Sequence, residues 1–156
     1  MNTLPLPKTI QFAALALTLT AFAAPALAAD NAPQFSVEKT ATRSIASGAT
    51  AFNKGDYSKS AAYSRYALKQ GLKKSRRTVA YSNLCAALGA DGRYDEALEA
   101  CDSALKVSPQ NWQAFSNRAA VNWLSGDKTQ AMQDISSARD INADAPVISY
   151  NLEVLG

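Results

Sequence analysis

Apolar side chains recur at three- and four-residue intervals in two neighbouring segments near the middle of the chain. The first segment runs from residue 79 to 88 and the second from residue 94 to 106. The apolar stripes comprise Tyr81, Leu84 and Leu88 in the first segment, and Tyr94, Ala97, Leu98, Cys101, Ala104 and Leu105 in the second. This spacing predicts two amphipathic helices. Because neither helix can bury its stripe alone, we expect them to pack against each other as an antiparallel pair.

The helix pair recurs along the chain with a period of 34 residues. Residues 78–111 superpose on residues 112–145, which places Asn83 on Asn117. A weaker copy covers about residues 41–77, and its additional length falls in a connecting loop, where insertions are tolerated. A period of this length predicts stacked helical repeats.

Turn and capping residues mark the ends of the predicted helices. Gly92 and Gly126 follow the first helices of two repeats, where a left-handed backbone conformation favours glycine. Pro109 ends a second helix, and Asn111 is placed to cap the next one. A final capping helix is predicted at 146–155, where it would cover the open apolar end of the stack.

The N-terminal region is predicted to be an export signal followed by a flexible leader. Residues 1–28 combine the positive charge of Lys8, an uncharged apolar run and a small-x-small sequence ending at Ala28, a pattern typical of a cleaved signal peptide. The alternative is an uncleaved membrane anchor, which N-terminal sequencing would reveal. Residues 29–38 are polar and aperiodic, which predicts a disordered leader. Residues 39–156 form the repeat domain of a periplasmic or secreted protein.

The residues of the second repeat resemble the tetratricopeptide repeat (TPR). The matching positions are Tyr81, Leu84-Cys85, Gly92-Arg93-Tyr94, Ala97, Cys101, Ala104 and Pro109. In the third repeat, Arg118 replaces the usual Leu and Ala143 replaces the usual Pro. The resemblance implies an all-α, right-handed solenoid of three repeats and a capping helix. It also implies a non-enzymatic scaffold that binds a peptide or a partner's helix in a concave groove lined by the first helices.

Three asparagines are the first candidates for groove residues. Asn83, Asn117 and Asn151 occupy one register position in successive units, and each amide can donate and accept a hydrogen bond with a partner's backbone. The alternative is a solvated polar face. Phe52 and Trp123 are candidate aromatic anchors in the groove, although Trp123 also suits a packed core.

Some chaperone-binding members of this family use Lys, Asn and Arg to grip a pair of carboxylates. Asn83 fits the middle position of that clamp, but the other positions hold Ile45, Ala49, Gln113 and Asn117. We therefore do not expect a receptor for acidic chaperone tails.

Cys85 and Cys101 are the two cysteines of the chain. Export to an oxidising compartment favours a disulfide between the two helices of the second repeat. Helix pairing places the two residues about one turn apart, near the ~7 Å Cα–Cα limit for bridging. Buried free thiols are the alternative.

A basic cluster precedes the second repeat. It comprises Lys69, Lys73, Lys74, Arg76 and Arg77 in a chain whose net charge is +3. The cluster can attract an anionic partner or surface. It is equally typical of a solvated loop between repeats.

The sequence contains no histidine, the commonest general base and metal ligand, and no glycine-rich phosphate loop follows a strand pattern. We therefore expect no catalytic residues, metal or cofactor. The expected partner is an unidentified protein or peptide, without nucleic acid and without stable membrane insertion after cleavage. The alternatives are a self-associating envelope protein and an adaptor tethered by an uncleaved N-terminal segment.

Overall fold

The computed structural model describes residues 31–156, which form seven helices. They are α1 (Arg43–Phe52), α2 (Tyr57–Leu68), α3 (Lys74–Ala90), α4 (Tyr94–Val107), α5 (Trp112–Ser125), α6 (Lys128–Ile141) and α7 (Pro146–Leu155). No strand occurs among these described residues, so the predicted all-α repeat fold is confirmed. None of the seven helices is long and apolar enough to cross a bilayer. The predicted signal peptide, residues 1–28, lies outside the described part of the chain.

Successive helices pack in pairs, and the pairs stack. The helix α1 packs on α2, α3 on α4 and α5 on α6, while α7 lies against both helices of the third pair. The first helices also contact one another in the order α1, α3, α5 and α7. One face of the array is therefore made of first helices alone.

Small side chains allow the two helices of a pair to approach closely. Ala97 and Ala104 of α4 have no exposed surface, and neither do Ala131 and Ala138 of α6. A methyl group brings packed helix axes to the short end of the ~8–10 Å range. The core is therefore continuous from the second repeat through the third.

The predicted turns and caps are confirmed. Gly92 (φ 77°) and Gly126 (φ 100°) adopt the left-handed conformation after α3 and α5. The side chain of Asn111 accepts a hydrogen bond from the Ala114 N–H at 2.7 Å and so caps α5. Pro146 is the first residue of α7, where a missing N–H costs nothing.

The capping helix α7 covers the end of the third repeat. Ile148 is fully buried, and Leu155 is 9% exposed. Both side chains belong to the same apolar cluster as Ala119 and Ile135 of the third pair.

The helix α3 begins earlier than the sequence pattern indicated. Its first residue is Lys74, so Arg76 and Arg77 are helical rather than part of a connecting loop. Lys and Arg are good helix formers, and nothing after Gly71 stops a helix. The prediction of a loop through residue 77 was wrong because basic residues oppose the dipole at a helix N-terminus, which is normally a signal against helix there.

Candidate peptide-binding groove

The three register asparagines lie on the face made by the first helices. Asn83 is on α3, Asn117 on α5 and Asn151 on α7, and each is at most 1% exposed. We call this row the asparagine ladder. Buried amides require hydrogen-bond partners, because an unpaired polar group costs free energy away from water.

The partners belong to the chain's own N-terminal segment, residues 31–40, which we call the leader. The Gln34 N–H donates to Asn151 Oδ1 (2.7 Å), and Asn151 Nδ2 donates to the Gln34 carbonyl (2.9 Å). Ser36 and Asn117 form the same pair of bonds at 2.8 and 3.0 Å. Glu38 and Asn83 repeat it at 2.9 and 2.8 Å. The leader therefore runs through the groove antiparallel to the order of the repeats.

The geometry of an extended chain explains why alternate residues are bound. The N–H and C=O of one residue point to the same side of a strand, and the next residue with that orientation is two positions further on. A carboxamide offers one acceptor and one donor side by side, so it satisfies both groups of one residue. Two extended residues advance ~6.6–6.8 Å, less than the ~8–10 Å between packed helix axes. We attribute the match to the concave curvature of the face, which brings the amides closer than the axes.

Two serines support the ladder from the preceding repeat. Asn117 Nδ2 also donates to the Ser82 carbonyl (3.2 Å) and Ser82 Oγ (3.3 Å). Asn151 Nδ2 likewise lies 3.4 Å from Ser116 Oγ. Each serine immediately precedes a ladder asparagine in the sequence, and this recurring Ser-Asn pair is the signal that sequence reasoning missed.

The odd-numbered residues of the leader face the apolar part of the array. Pro33 is buried, and the half-buried Phe35 packs on the cluster that includes Leu88 and Val121. A Cβ added to Gly89 of α3 would lie 2.6 Å from ring atoms Cε1 and Cζ of Phe35. The absence of a side chain at Gly89 therefore makes the room for this ring.

The predicted disordered leader, residues 29–38, is corrected for the described residues 31–38. They are extended, and three of them are hydrogen-bonded to the ladder. The composition is polar because half of the segment faces away from the array. Sequence reasoning missed the alternation of Pro33, Phe35 and Val37, which is the period of an extended segment with one apolar side.

The two candidate aromatic anchors contribute to the helix interfaces. The ring of Phe52, at the end of α1, lies 5.1 Å from that of Tyr57 at the start of α2. Trp123, at the end of α5, packs on the cluster of the third repeat, and Lys128 Nζ lies 5.9 Å from its ring. Among the described contacts, the aromatic ring placed between the leader and the array is that of Phe35.

The cysteines form a disulfide between α3 and α4. Cys85 and Cys101 are fully buried, and their Cα atoms lie 5.2 Å apart. This distance is shorter than sequence reasoning placed it, because the alanines of α4 allow the two helices to approach closely. The bridge fixes the helix pair that carries Asn83.

The basic cluster lies away from the ladder. Lys73, Lys74, Arg76 and Arg77 are all exposed around the start of α3. Lys73 and Arg76 line a surface depression at the first repeat together with Tyr63.

Arg118, which departs from the usual TPR residue, joins three helices. It forms two hydrogen bonds to Asp134 of α6, at 2.9 and 2.6 Å, and one to Asp102 of α4 at 2.6 Å. Asn122 Nδ2 donates to the same Asp134 at 3.0 Å. The hydrogen bond to Asp134 is the main cause that raises the pKa of Arg118, against the opposing effect of burial. A buried ion-pair network therefore replaces an apolar contact between the second and third repeats.

Comparison with known proteins gives the same architecture. Residues 78–111 match the family model described as a tetratricopeptide repeat. The TPR domain of Arabidopsis OM64 is similar, with a TM-score of 0.59 and 18% identity over 69% of this chain and 87% of that one. The TPR2AB domain of yeast Sti1, in its complex with pHSP90, also has a TM-score of 0.59, with 22% identity over 71% of this chain and 42% of that one. A search of curated proteins found no match.

At these identities, the two solved structures establish the shared fold. The family match falls on the second repeat, and the same helix pair recurs on both sides of it. The sequence motif, the stacked helix pairs and the shared fold together identify the chain as a member of the tetratricopeptide repeat family.

Proposed function

We propose that this protein is an exported, non-enzymatic scaffold that holds an extended segment of a partner protein in the groove of its repeats. The observation that carries the proposal is the asparagine ladder, in which each amide binds both main-chain groups of one residue of the leader. These bonds do not depend on the side chains of the bound residues. The groove therefore recognises an extended backbone.

The burial of the ladder supports a role for an occupant. Asn83, Asn117 and Asn151 are at most 1% exposed with the leader in place. Without an extended chain, each would lose a donor and an acceptor partner that only water can replace. Such a row of amides suits the binding of a backbone better than it suits a stable apolar core.

Export is supported by two independent features. The first is the apolar sequence and cleavage pattern of residues 1–28. The second is the buried Cys85–Cys101 disulfide, since such bridges persist in oxidising compartments such as the bacterial periplasm and are rare in the cytosol.

The test uses a full-length mature chain whose leader is replaced by a Gly/Ser sequence of equal length, which we call the open-groove variant. A displayed peptide library is selected on this variant, and the selected peptides are measured on the same chain carrying Asn83→Ala and Asn117→Ala. We expect the affinity to fall by about tenfold or more, because up to four hydrogen bonds are lost. Exposed Asn53→Ala is the matched control and should leave the affinity unchanged. Equal binding by the ladder variant, with its helix content intact, would refute the proposal.

Self-association is the second candidate, because each copy carries a segment that fits the groove. Exchange of leaders between two copies would keep every ladder bond and require only the short connection 39–42 to extend. Molar mass measured by light scattering at several concentrations separates the two. A monomer at all concentrations would exclude leader exchange.

A further inference from the structure

One register position is aromatic in the outer repeats and glycine in the middle one. Gly89 precedes the turn glycine Gly92 by three residues, as Phe52 precedes Gly55 and Trp123 precedes Gly126. Phe52 and Trp123 each pack their ring at the junction between the two helices of their own pair. The second repeat has no ring of its own at this position.

The leader supplies a ring at the missing place. The Phe35 ring lies so close to Gly89 that a Cβ there would be 2.6 Å from two ring atoms. The same Cβ would be 2.8 Å from Cγ2 of Val121 on α5. The ring therefore fills a slot bounded by α3 and α5, which a side chain larger than hydrogen at Gly89 would obstruct.

The slot lies in register with the ladder. Phe35 stands between Gln34, bound to Asn151, and Ser36, bound to Asn117. The main-chain bonds thus fix the position along the groove, and the slot then tests the side chain of one residue. A helical glycine costs about 1 kcal/mol relative to alanine, so its presence in α3 calls for a packing reason, and the ring provides one.

We infer that the groove selects an extended segment with an aromatic residue in register with Gly89, and that the leader is a resident competitor which such a segment displaces. This inference rests on the proposed function and specifies the chemistry of the ligand. The apolar alternation of Pro33, Phe35 and Val37 defines the ligand class: an extended strand with an apolar side and a central aromatic ring. A tethered competitor acts at a high effective concentration, so it weakens the apparent affinity for any partner.

Competition is tested with a fluorescent synthetic peptide of residues 31–40, measured by anisotropy on the full mature chain. We expect Phe35→Ala to raise the affinity for this probe by roughly tenfold or more over the native chain, because the resident segment then loses its ring. Gln34→Ala, which alters an exposed side chain of the leader, is the matched control and should leave the affinity unchanged. Equal affinities for the native and Phe35→Ala chains would overturn the competition.

Selectivity is tested on the open-groove variant with the same probe and with a probe in which alanine replaces the phenylalanine. The phenylalanine probe should bind roughly 10- to 100-fold more tightly. Gly89→Ala should remove this preference by obstructing the slot, while Asn117→Ala should weaken both probes. If both probes bind equally and both depend on Asn117, the aromatic slot is refuted and the groove stands. If binding is independent of Asn117, the proposed function itself fails.

Discussion

Replacing Asn117 with alanine should release the middle of the leader from the groove. The Asn117 side chain accepts from the Ser36 N–H at 2.8 Å and donates to its carbonyl at 3.0 Å. Hydrogen bonds of this kind contribute about 0.5–1.5 kcal/mol each, so the loss is about 1–3 kcal/mol in the docking of the leader. The equilibrium between docked and undocked leader should shift by about 5- to 150-fold.

Amide hydrogen exchange measures this shift directly. The Ser36 amide exchanges when the leader opens, so its protection should fall by the same factor. The Glu38 amide, which donates to Asn83, should lose less protection if each rung of the ladder acts independently. Equal losses at both amides would show that the rungs open together.

Two controls separate leader release from unfolding. Exposed Asn53→Ala should leave the Ser36 amide protected. Helical amides in α5, such as that of Ala119, should stay protected in Asn117→Ala, since global unfolding is not the opening event. Unchanged protection at Ser36 in Asn117→Ala would refute the reasoning, because the ladder would then not be what holds the leader.

Three further predictions concern the stability of the array. Replacing Cys85 and Cys101 with alanine removes a bridge across a sequence separation of 16, so the free energy of unfolding should fall by about 3 kcal/mol; urea denaturation of native and variant chains checks this, and reductant should destabilise only the native chain. Asp134→Ala deprives Arg118, whose side chain is 21% exposed, of its buried carboxylate, and should cost about 2–3 kcal/mol, less than a fully buried pair; an unchanged urea midpoint would contradict this. Ile148→Ala opens a cavity beneath α7 and should cost about 2–5 kcal/mol, with proteolysis near the C-terminus as the readout; unaltered resistance would show that α7 does not cap the array.

The substitution of the usual Leu by Arg118 was visible in the sequence, but its consequence was not. The carboxylates that bind it come from α4 and α6, 16 residues away on each side. Only the packing of the helices brings them together at Arg118. The sequence pattern therefore identified a departure from the family, and the structure shows what replaces the lost apolar contact.

The sequence by itself determined the helices, their period, the turn at Gly92 and the cap at Asn111. These features depend on interactions within a few residues or on a pattern repeated every 34 residues, so they can be read along the chain. It also placed the ladder asparagines in one register.

Only the tertiary structure decided what the ladder binds. The leader contacts Asn83, Asn117 and Asn151 across sequence separations of 45, 81 and 117 residues. The same is true of the ring that fills the space at Gly89 and of the close helix approach that allows the disulfide. A polar segment with three apolar residues resembles disorder when read alone, because its hydrogen bonds and apolar contacts are made by a surface that exists only after the repeats have stacked.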